Sequence, residues 1–147
     1  MKIITITLLI FITTCLSHAR PFTLWSYQDL YDKADLVIIA KPISTQDTTE
    51  KTTLPDIPDV HVVGLFTEFK ISVVMKGDKS MKKATLHHYR LADTKEEVIN
   101  GPTLISFDPK QRTQSLMFLR LEKDGRYSPV SGQIDPDISI LTIAERP

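Results

Sequence analysis

Residues 115–132 read SLMFLRLEKDGRYSPVSG, and this stretch decides the fold that the sequence predicts. It is typical of a β-hairpin, in which an apolar strand turns at Asp124 and Gly125 and returns through Tyr127 and Val130. Asp-Gly suits a two-residue turn because both central positions need a positive φ, which Asp tolerates and Gly adopts freely. The first arm is apolar on both faces, which is typical of a sheet covered on both sides, such as a small barrel with a covered outside. Its apolar residues are Met117, Leu119 and Leu121 on one face and Leu116 and Phe118 on the other.

The first 19 residues are typical of a secretory signal peptide, so we exclude them from the predicted fold. Lys2 forms a short basic region, and residues 3–14 (IITITLLIFITT) form the apolar region. Ser17-His18-Ala19 then places small residues where signal peptidase requires them. The apolar run is too short to span a bilayer comfortably, so we predict cleavage after Ala19 and no stable membrane insertion afterwards. The predicted mature protein is a single domain, residues 20–147, that is periplasmic or secreted.

Cys15 is the only cysteine of the 147-residue chain, and it lies inside the predicted signal. The preceding Ile-Thr-Thr somewhat resembles a lipoprotein box, but Thr is a poor residue immediately before a lipidated cysteine, so ordinary cleavage is favoured. The mature domain would then contain no disulfide and depend on its core. Cleavage removes Lys2 and no acid, which leaves 17 basic residues against 18 acidic ones and a net charge of −1. This balance argues against a nucleic-acid partner, because phosphate binding needs clustered cations.

A short helix and a strand open the predicted domain. Ser26 has the character of a helix N-cap, and Asp29 occupies the capping-box position three residues later. The helix is predicted over residues 27–33. Residues 34–43 (ADLVIIAKPI) then predict a strand that is covered on both sides, with Pro42 at a bulge or at the sheet edge.

Residues 44–59 (STQDTTEKTTLPDIPD) change character and predict a long polar loop. Pro55 and Pro58 argue against a regular helix or a central strand. A connection of this length is either a functional loop or a mobile one, and the sequence leaves both open. The candidate binding residues on this rim loop are Thr48, Glu50, Lys51, Asp56 and Asp59.

The remaining segments complete a mainly β chain. Residues 61–75 alternate apolar and polar side chains, which predicts a half-buried antiparallel strand. A turn at Lys76-Gly77-Asp78 leads to a second strand over residues 84–91. We further predict a capped helical turn at 93–100, a short strand at 103–107 and a last strand or apolar tail at 138–143.

This order of segments resembles bacterial exported proteins with netrin-like, tissue-inhibitor-of-metalloproteinase-like OB-fold domains. The similarity covers about residues 25–132, and its markers are Ala34-Asp35, the turn at 76–78 and the strand at 116–121. It implies a five-stranded antiparallel OB-fold-like barrel with rim loops available for binding. Inhibitors of this class bind a protease zinc through an N-terminal cysteine, whereas the predicted mature chain begins with Arg20-Pro21. That chemistry is therefore not carried over, since fold alone does not establish it.

Three histidines of the predicted domain, His61, His87 and His88, are the candidates for catalysis or metal binding. His87 and His88 are adjacent and point to opposite faces of a strand, so one strand cannot offer both to one metal. Pairing of His61 with either one across strands, near Asp56 or Asp59, stays open, although no HExxH spacing supports it. The sequence also lacks a GxSxG motif and a phosphate-binding glycine loop, so we predict no cofactor.

These patterns favour an exported, non-catalytic binding module whose partner is another envelope or secreted protein. The alternative is a small extracytoplasmic hydrolase or a metal-binding protein that uses His61, His87 and His88. The geometry around the histidines distinguishes the two classes. A polar pocket joining two of them to a carboxylate would favour an enzyme, and an uninterrupted apolar barrel would favour the binding module.

Overall fold

The structure is a computed structural model that describes residues 23–54, 57–93, 101–111 and 113–143. Within these ranges the regular structure is mainly β, as predicted, and it consists of six strands, one α-helix and a short 3₁₀ helix. In chain order the elements are α1 (Tyr27–Lys33), β1 (Leu36–Leu54), β2 (Ile57–Lys76), β3 (Lys83–Leu91), β4 (Gln114–Leu121), β5 (Tyr127–Pro129), the 3₁₀ helix (Pro136–Ile138) and β6 (Ile140–Ile143). The predicted signal peptide and most of the predicted helical turn at 93–100 lie outside the described residues.

The strands form one sheet that returns on itself as a ring. Neighbouring strands follow the order β1, β2, β3, β5, β4, and β4 pairs again with β1, while β6 is added beside β4. All ring pairings are antiparallel except that of β3 with β5, which is parallel through Leu86 and Tyr127. The ring has five strands, as predicted, whereas the prediction of antiparallel pairing is wrong for β3 and β5. Five strands cannot alternate in direction around a closed ring, because five is an odd number, so one pair must be parallel.

Helix α1 forms where the sequence predicts it, and the capping box is present. The amide of Asp29 donates to Oγ of Ser26 at 3.1 Å, and the amide of Ser26 donates to Oδ2 of Asp29 at 3.2 Å. Leu30 is the buried residue of this short helix, and it packs with Val37 and Phe118 on the outside of the ring. In the part of the chain described here, no helix has the length and apolar character needed to cross a membrane.

The β4–β5 hairpin contributes to two cores, as its two apolar faces predict. Met117 and Leu119 are buried inside the ring with side chains from β1, β2 and β3. Phe118 points outwards and belongs to the cluster under α1. Leu121, the last residue of β4, is half exposed. The helix is therefore the cover that a strand with two apolar faces requires.

The turn of this hairpin has three residues, so the expectation of a two-residue turn is wrong. The amide of Glu122 donates to the carbonyl of Arg126 at 2.7 Å, which leaves residues 123–125 as the loop. The amide of Gly125 donates to the carbonyl of Glu122 at 3.1 Å, and Gly125 has a φ of 86°. A β-turn followed by a left-handed glycine is the usual geometry of a three-residue hairpin loop.

Residues 44–59 do not form the predicted loop. β1 continues to Leu54 and β2 begins at Ile57, so the segment belongs to the long β1–β2 hairpin, with Pro55 and Asp56 outside the described residues. Pro42 does lie beside a shift of register, as predicted. β4 pairs with β1 only as far as Ala40, and beyond that residue β1 has β2 as its neighbour. The later part of β1 therefore extends past the closed ring, which accounts for its polar side chains. Threonine, which recurs here, favours strands.

The short strand predicted at residues 103–107 is also wrong, because these residues have no strand pairing. Ile105 and Phe107 pack on the core inside the ring, whereas Leu104 packs on a separate cluster around Leu54 and Val62. The apolar alternation of this segment therefore reflects contacts with two cores on opposite sides of the chain.

Candidate functional site

The pairing of β1 with β2 is interrupted near the middle of the hairpin. Asp47 pairs with Leu65, and Lys51 pairs with Val63. Residues 48–50 of β1 therefore lie opposite the single residue Gly64 of β2. Such a bulge bends the strand and redirects its side chains. We call residues 48–50 the β1 bulge.

Gly64 gives the β1 bulge the space to fold across β2. A Cβ atom at this position would lie 2.8 Å from Oε2 of Glu50 and 2.9 Å from Oγ1 of Thr48, closer than packed atoms approach. Oγ1 of Thr48 donates to the carbonyl of Gly64 at 3.0 Å and accepts from the amide of Glu50 at 3.0 Å. The missing side chain therefore lets Glu50 reach over β2 towards β3.

Glu50 reaches His87, which lies between two carboxylates. Nε2 of His87 is 3.0 Å from Oε2 of Glu50, and Nδ1 is 3.2 Å from Oε2 of Glu122. The imidazole is almost fully buried, with 7% of its side-chain surface exposed. The Nδ1 contact has hydrogen-bond geometry, whereas the Nε2 contact has the distance without the direction and is an ion-pair contact. We call Glu50, His87 and Glu122 the carboxylate–histidine string.

Tyr89 and Gln133 hold this string from its two sides. The hydroxyl of Tyr89 donates to Oε1 of Glu50 at 2.6 Å, and Nε2 of Gln133 donates to the carbonyl of His87 at 2.9 Å. Burial raises the pKa of Tyr89 well above its ordinary value, and the hydrogen bond to Glu50 raises this pKa further. Tyr89 is therefore a permanent donor to Glu50 at physiological pH.

Arg126 closes the outer end of the string. Its guanidinium lies 4.6 Å from the ring centre of Phe66, within cation–π range. It also binds Oδ2 of Asp124 at 2.6 Å and lies 3.7 Å from Oε2 of Glu122. The hydrogen bond with Asp124 lowers the pKa of that carboxyl and raises the pKa of Arg126. Arg126 is therefore shared between Asp124, which it binds directly, and Glu122, which lies farther away.

His88 points to the other face of β3, as predicted, and lies inside the ring. Its Nε2 is hydrogen-bonded to Oγ1 of Thr67 at 2.8 Å, and Thr67 is in turn hydrogen-bonded to Thr45 at 2.8 Å. Burial lowers the pKa of His88 to about 4, against a smaller opposing effect of the Ile105 backbone. Nδ1 of His88 makes no hydrogen bond of good geometry to the described residues. This neutral histidine is a core residue.

The string is poorly arranged for catalysis by His87. A general base needs a ring nitrogen free to face the substrate, but both nitrogens of His87 face carboxylates. His88 is on the opposite side of the sheet, so no pocket in the described chain joins these two histidines to a carboxylate. Over residues 23–54, 57–93, 101–111 and 113–143, no group of three His, Cys, Asp or Glu side chains is arranged to hold a metal ion.

A pocket of about 400 Å³ lies beside the string, on the outer face of the ring. We call it the outer pocket. Tyr89 and Glu122 belong both to its lining and to the surroundings of the string, and Arg120, Ser128 and residues 131–134 also line it. It has the size of a site for a small molecule.

A second depression, of about 870 Å³, lies at the open end of the ring, and we call it the mouth groove. Val63 and Arg90 pair with each other there, and they continue the inward face of β2 and β3 past the core. Asp47 and Arg90 form an ion pair along this groove, which lowers the pKa of Asp47 and raises that of Arg90. Lys51 and His61 also line the groove and are exposed.

The structure divides the predicted site residues among different places. Thr48, Lys51 and His61 line the mouth groove, and Glu50 and His87 meet in the string. Asp59 is exposed in β2 and lines neither depression, while Asp56 lies outside the described residues. Sequence reasoning missed several residues of the string and the outer pocket. They are Glu122, Tyr89, Arg126 and Arg120, of which only Tyr89 had a signal, since it shares a face with His87 two residues earlier.

A scan against protein-family models found no matching family, and a search of curated proteins found no match. The function must therefore be inferred from the site itself.

Proposed function

We propose that the chain is an exported, non-catalytic binding module with an OB-like barrel, and that it binds another envelope or secreted protein through the mouth groove. The observation that carries this proposal is the convergence of Thr48, Lys51 and His61 on one open groove at the rim of the ring. These residues come from both strands of the β1–β2 hairpin, beyond the part that closes the ring with β4.

The strand order supports an OB-like barrel, and the netrin-like relationship remains part of the proposal. An OB-fold is a five-stranded, partly open barrel that binds ligands beside strands 2 and 3 and the loop joining strands 1 and 2. The ring of this chain has five strands, and the mouth groove lies where the ends of β1, β2 and β3 meet.

The charges of the groove favour an acidic protein surface as the partner. Asp47 and Arg90 neutralise each other. Lys51 has no ion-pair partner among the described residues, so its ammonium is available to an incoming carboxylate. The buried side chains of Val62 and Val63 form the base of the groove. An apolar base with charged walls is the usual composition of a protein–protein interface.

The hydrolase or metal-binding alternative receives no specific support from the histidines. His87 is held between Glu50 and Glu122, His88 is a core residue, and His61 lies in the mouth groove. The three side chains are therefore separated from one another, and we do not pursue this alternative as a second function.

The test is capture of proteins from envelope extract by the immobilised mature domain, followed by mass spectrometry. Binding of any captured protein is then repeated with the purified partner and with the variant Lys51→Glu. The control is Lys82→Glu, which makes the same charge change at an exposed position outside the groove. We expect Lys51→Glu to lose binding and Lys82→Glu to keep it. Equal binding by both variants would move the partner site away from the groove.

A further inference from the structure

The outer pocket contains a charged side chain that pairs with no other residue of the described structure. Arg120 lines the pocket and is exposed, and its guanidinium makes no ion pair or hydrogen bond with the described residues. Its partner in the β4–β5 ladder is Ser128, which also lines the pocket. Residues directly opposite in such a ladder have Cβ atoms about 5 Å apart, so both side chains begin on the same face of the sheet and both line this pocket.

The side of the pocket that faces the string is acidic, because Glu122 lines it. Glu122 is two residues after Arg120 and faces the same pocket. Its carboxylate contacts His87 at 3.2 Å and Arg126 at 3.7 Å. Among the described residues that line the outer pocket, Arg120 is the one cationic side chain, and it makes no ion pair with them, so it is the group to which an anionic part of a ligand would bind.

Geometry and charge together select a carboxylate. A guanidinium binds a carboxylate through two parallel hydrogen bonds, and the hydroxyl of Ser128 can donate a third. A phosphate dianion would carry twice the charge towards Glu122 and would be repelled more strongly. A neutral ligand would leave the guanidinium without its best partner.

The rest of the lining is suited to hydroxyl groups. Thr52, Thr53 and Tyr89 add hydroxyls, and Gln133 adds an amide whose Oε1 is buried without a hydrogen-bond partner in the described structure. Such groups both donate and accept, which matches the hydroxyls of a sugar. The pocket volume of about 400 Å³ is within the range for small-molecule sites.

We propose that the outer pocket is a binding site for a small hydroxylated monocarboxylic acid of the uronic acid type, with its carboxylate on Arg120 and Ser128. Thr52 and Thr53 line both depressions, but the carboxylate-binding residues Arg120 and Ser128 do not line the mouth groove. Failure of one proposal therefore leaves the other standing.

The experiment is titration calorimetry of the purified domain with glucuronate, galacturonate, glucose and inorganic phosphate. We expect at least one uronate to bind, and we expect glucose and phosphate to bind at least about tenfold more weakly. Glucose lacks the charge-assisted hydrogen bonds to Arg120, and phosphate is repelled more strongly by Glu122. Arg120→Gln should weaken uronate binding by at least about tenfold. Lys123→Gln is the control, because it removes one exposed positive charge nearby without touching the pocket.

Each other outcome contradicts the proposal. Absence of uronate binding at millimolar concentrations, equal binding of glucose, or tighter binding of phosphate would overturn the ligand class. Equal uronate binding by Arg120→Gln would overturn the site. Arg120 is exposed, so we expect this variant to fold, and circular dichroism checks this. If it does not fold, Ser128→Ala takes its place and should weaken uronate binding likewise.

Discussion

Oε2 of Glu50 lies 3.0 Å from Nε2 of His87, although their strands are not neighbours in the sheet. β2 lies between β1 and β3, and the contact crosses it at Gly64. Three features make this crossing: the extra residues of the β1 bulge, the missing side chain of Gly64, and the outward direction of His87 on β3. The contact therefore links the part of the hairpin beyond the ring to the ring itself.

Gly64→Ala tests the crossing. The new Cβ would meet Glu50 and Thr48 at distances below 3 Å, so the bulge must move, and we expect a loss of about 1–3 kcal/mol in the free energy of unfolding. In a Glu50→Ala background the closest of these contacts is gone, so Gly64→Ala should cost less. Urea denaturation of the four proteins measures this difference. A cost that is unchanged in the Glu50→Ala background would show that Glu50 does not occupy the space above Gly64.

Leu119→Ala tests the core of the ring. Leu119 is 1% exposed, and we expect its truncation to cost roughly 2–5 kcal/mol, the range for an emptied core position. The matched control is Leu121→Ala in the same strand, where the side chain is half exposed. We expect the control to change stability much less, because its side chain remains largely in water. Equal shifts of the denaturation midpoint for the two variants would place Leu119 outside the core.

The buried His88 makes stability depend on pH. Burial lowers its pKa from 6.5 to about 4 in the folded protein, so between these values the unfolded chain binds more protons. Stability is therefore lost as the pH falls from 6.5 towards 4, by about 3 kcal/mol in all.

The variant His88→Leu should remove this loss, and Thr67 keeps its hydrogen bond to Thr45. We expect thermal stability between pH 7 and pH 5 to fall less steeply in the variant than in the original protein. Parallel curves for the two proteins would mean that His88 is not the group that titrates.

Export is a prediction from the first 19 residues, which lie outside the described structure. N-terminal sequencing of the extracytoplasmic protein should read Arg-Pro-Phe, beginning at Arg20. A lipid-blocked terminus at Cys15, or a protein that retains Met1, would contradict cleavage after Ala19.

The sequence predicted the local features of the fold well. Helix α1 with its capping box, the β4–β5 hairpin and the opposite directions of His87 and His88 all depend on residues close together in the chain, where spacing determines geometry. The three-residue turn shows the limit of this reasoning. Asp-Gly fits loops of either length, and the pairing of Glu122 with Arg126 decides between them.

The candidate site was much harder to predict, because it depends on register. Residues 44–59 are polar, with prolines near their end, and this composition resembles that of a loop. The β1 bulge changes which residues face which side, so no regular alternation could have placed Glu50 beside His87. The contact of Glu122 with His87 joins residues that are 35 positions apart in the chain and follows from the closure of the ring. Only the assembled sheet shows these neighbours.

The measurement that tests the central claim most directly is an NMR titration of the isotope-labelled domain with the purified partner protein. We predict that the amide signals that shift are those of the mouth groove, including Thr48, Lys51 and His61. The signals of α1, at the other end of β1, should stay in place. Shifts on α1 with an unchanged groove would contradict the proposal that this chain binds its partner through the mouth groove.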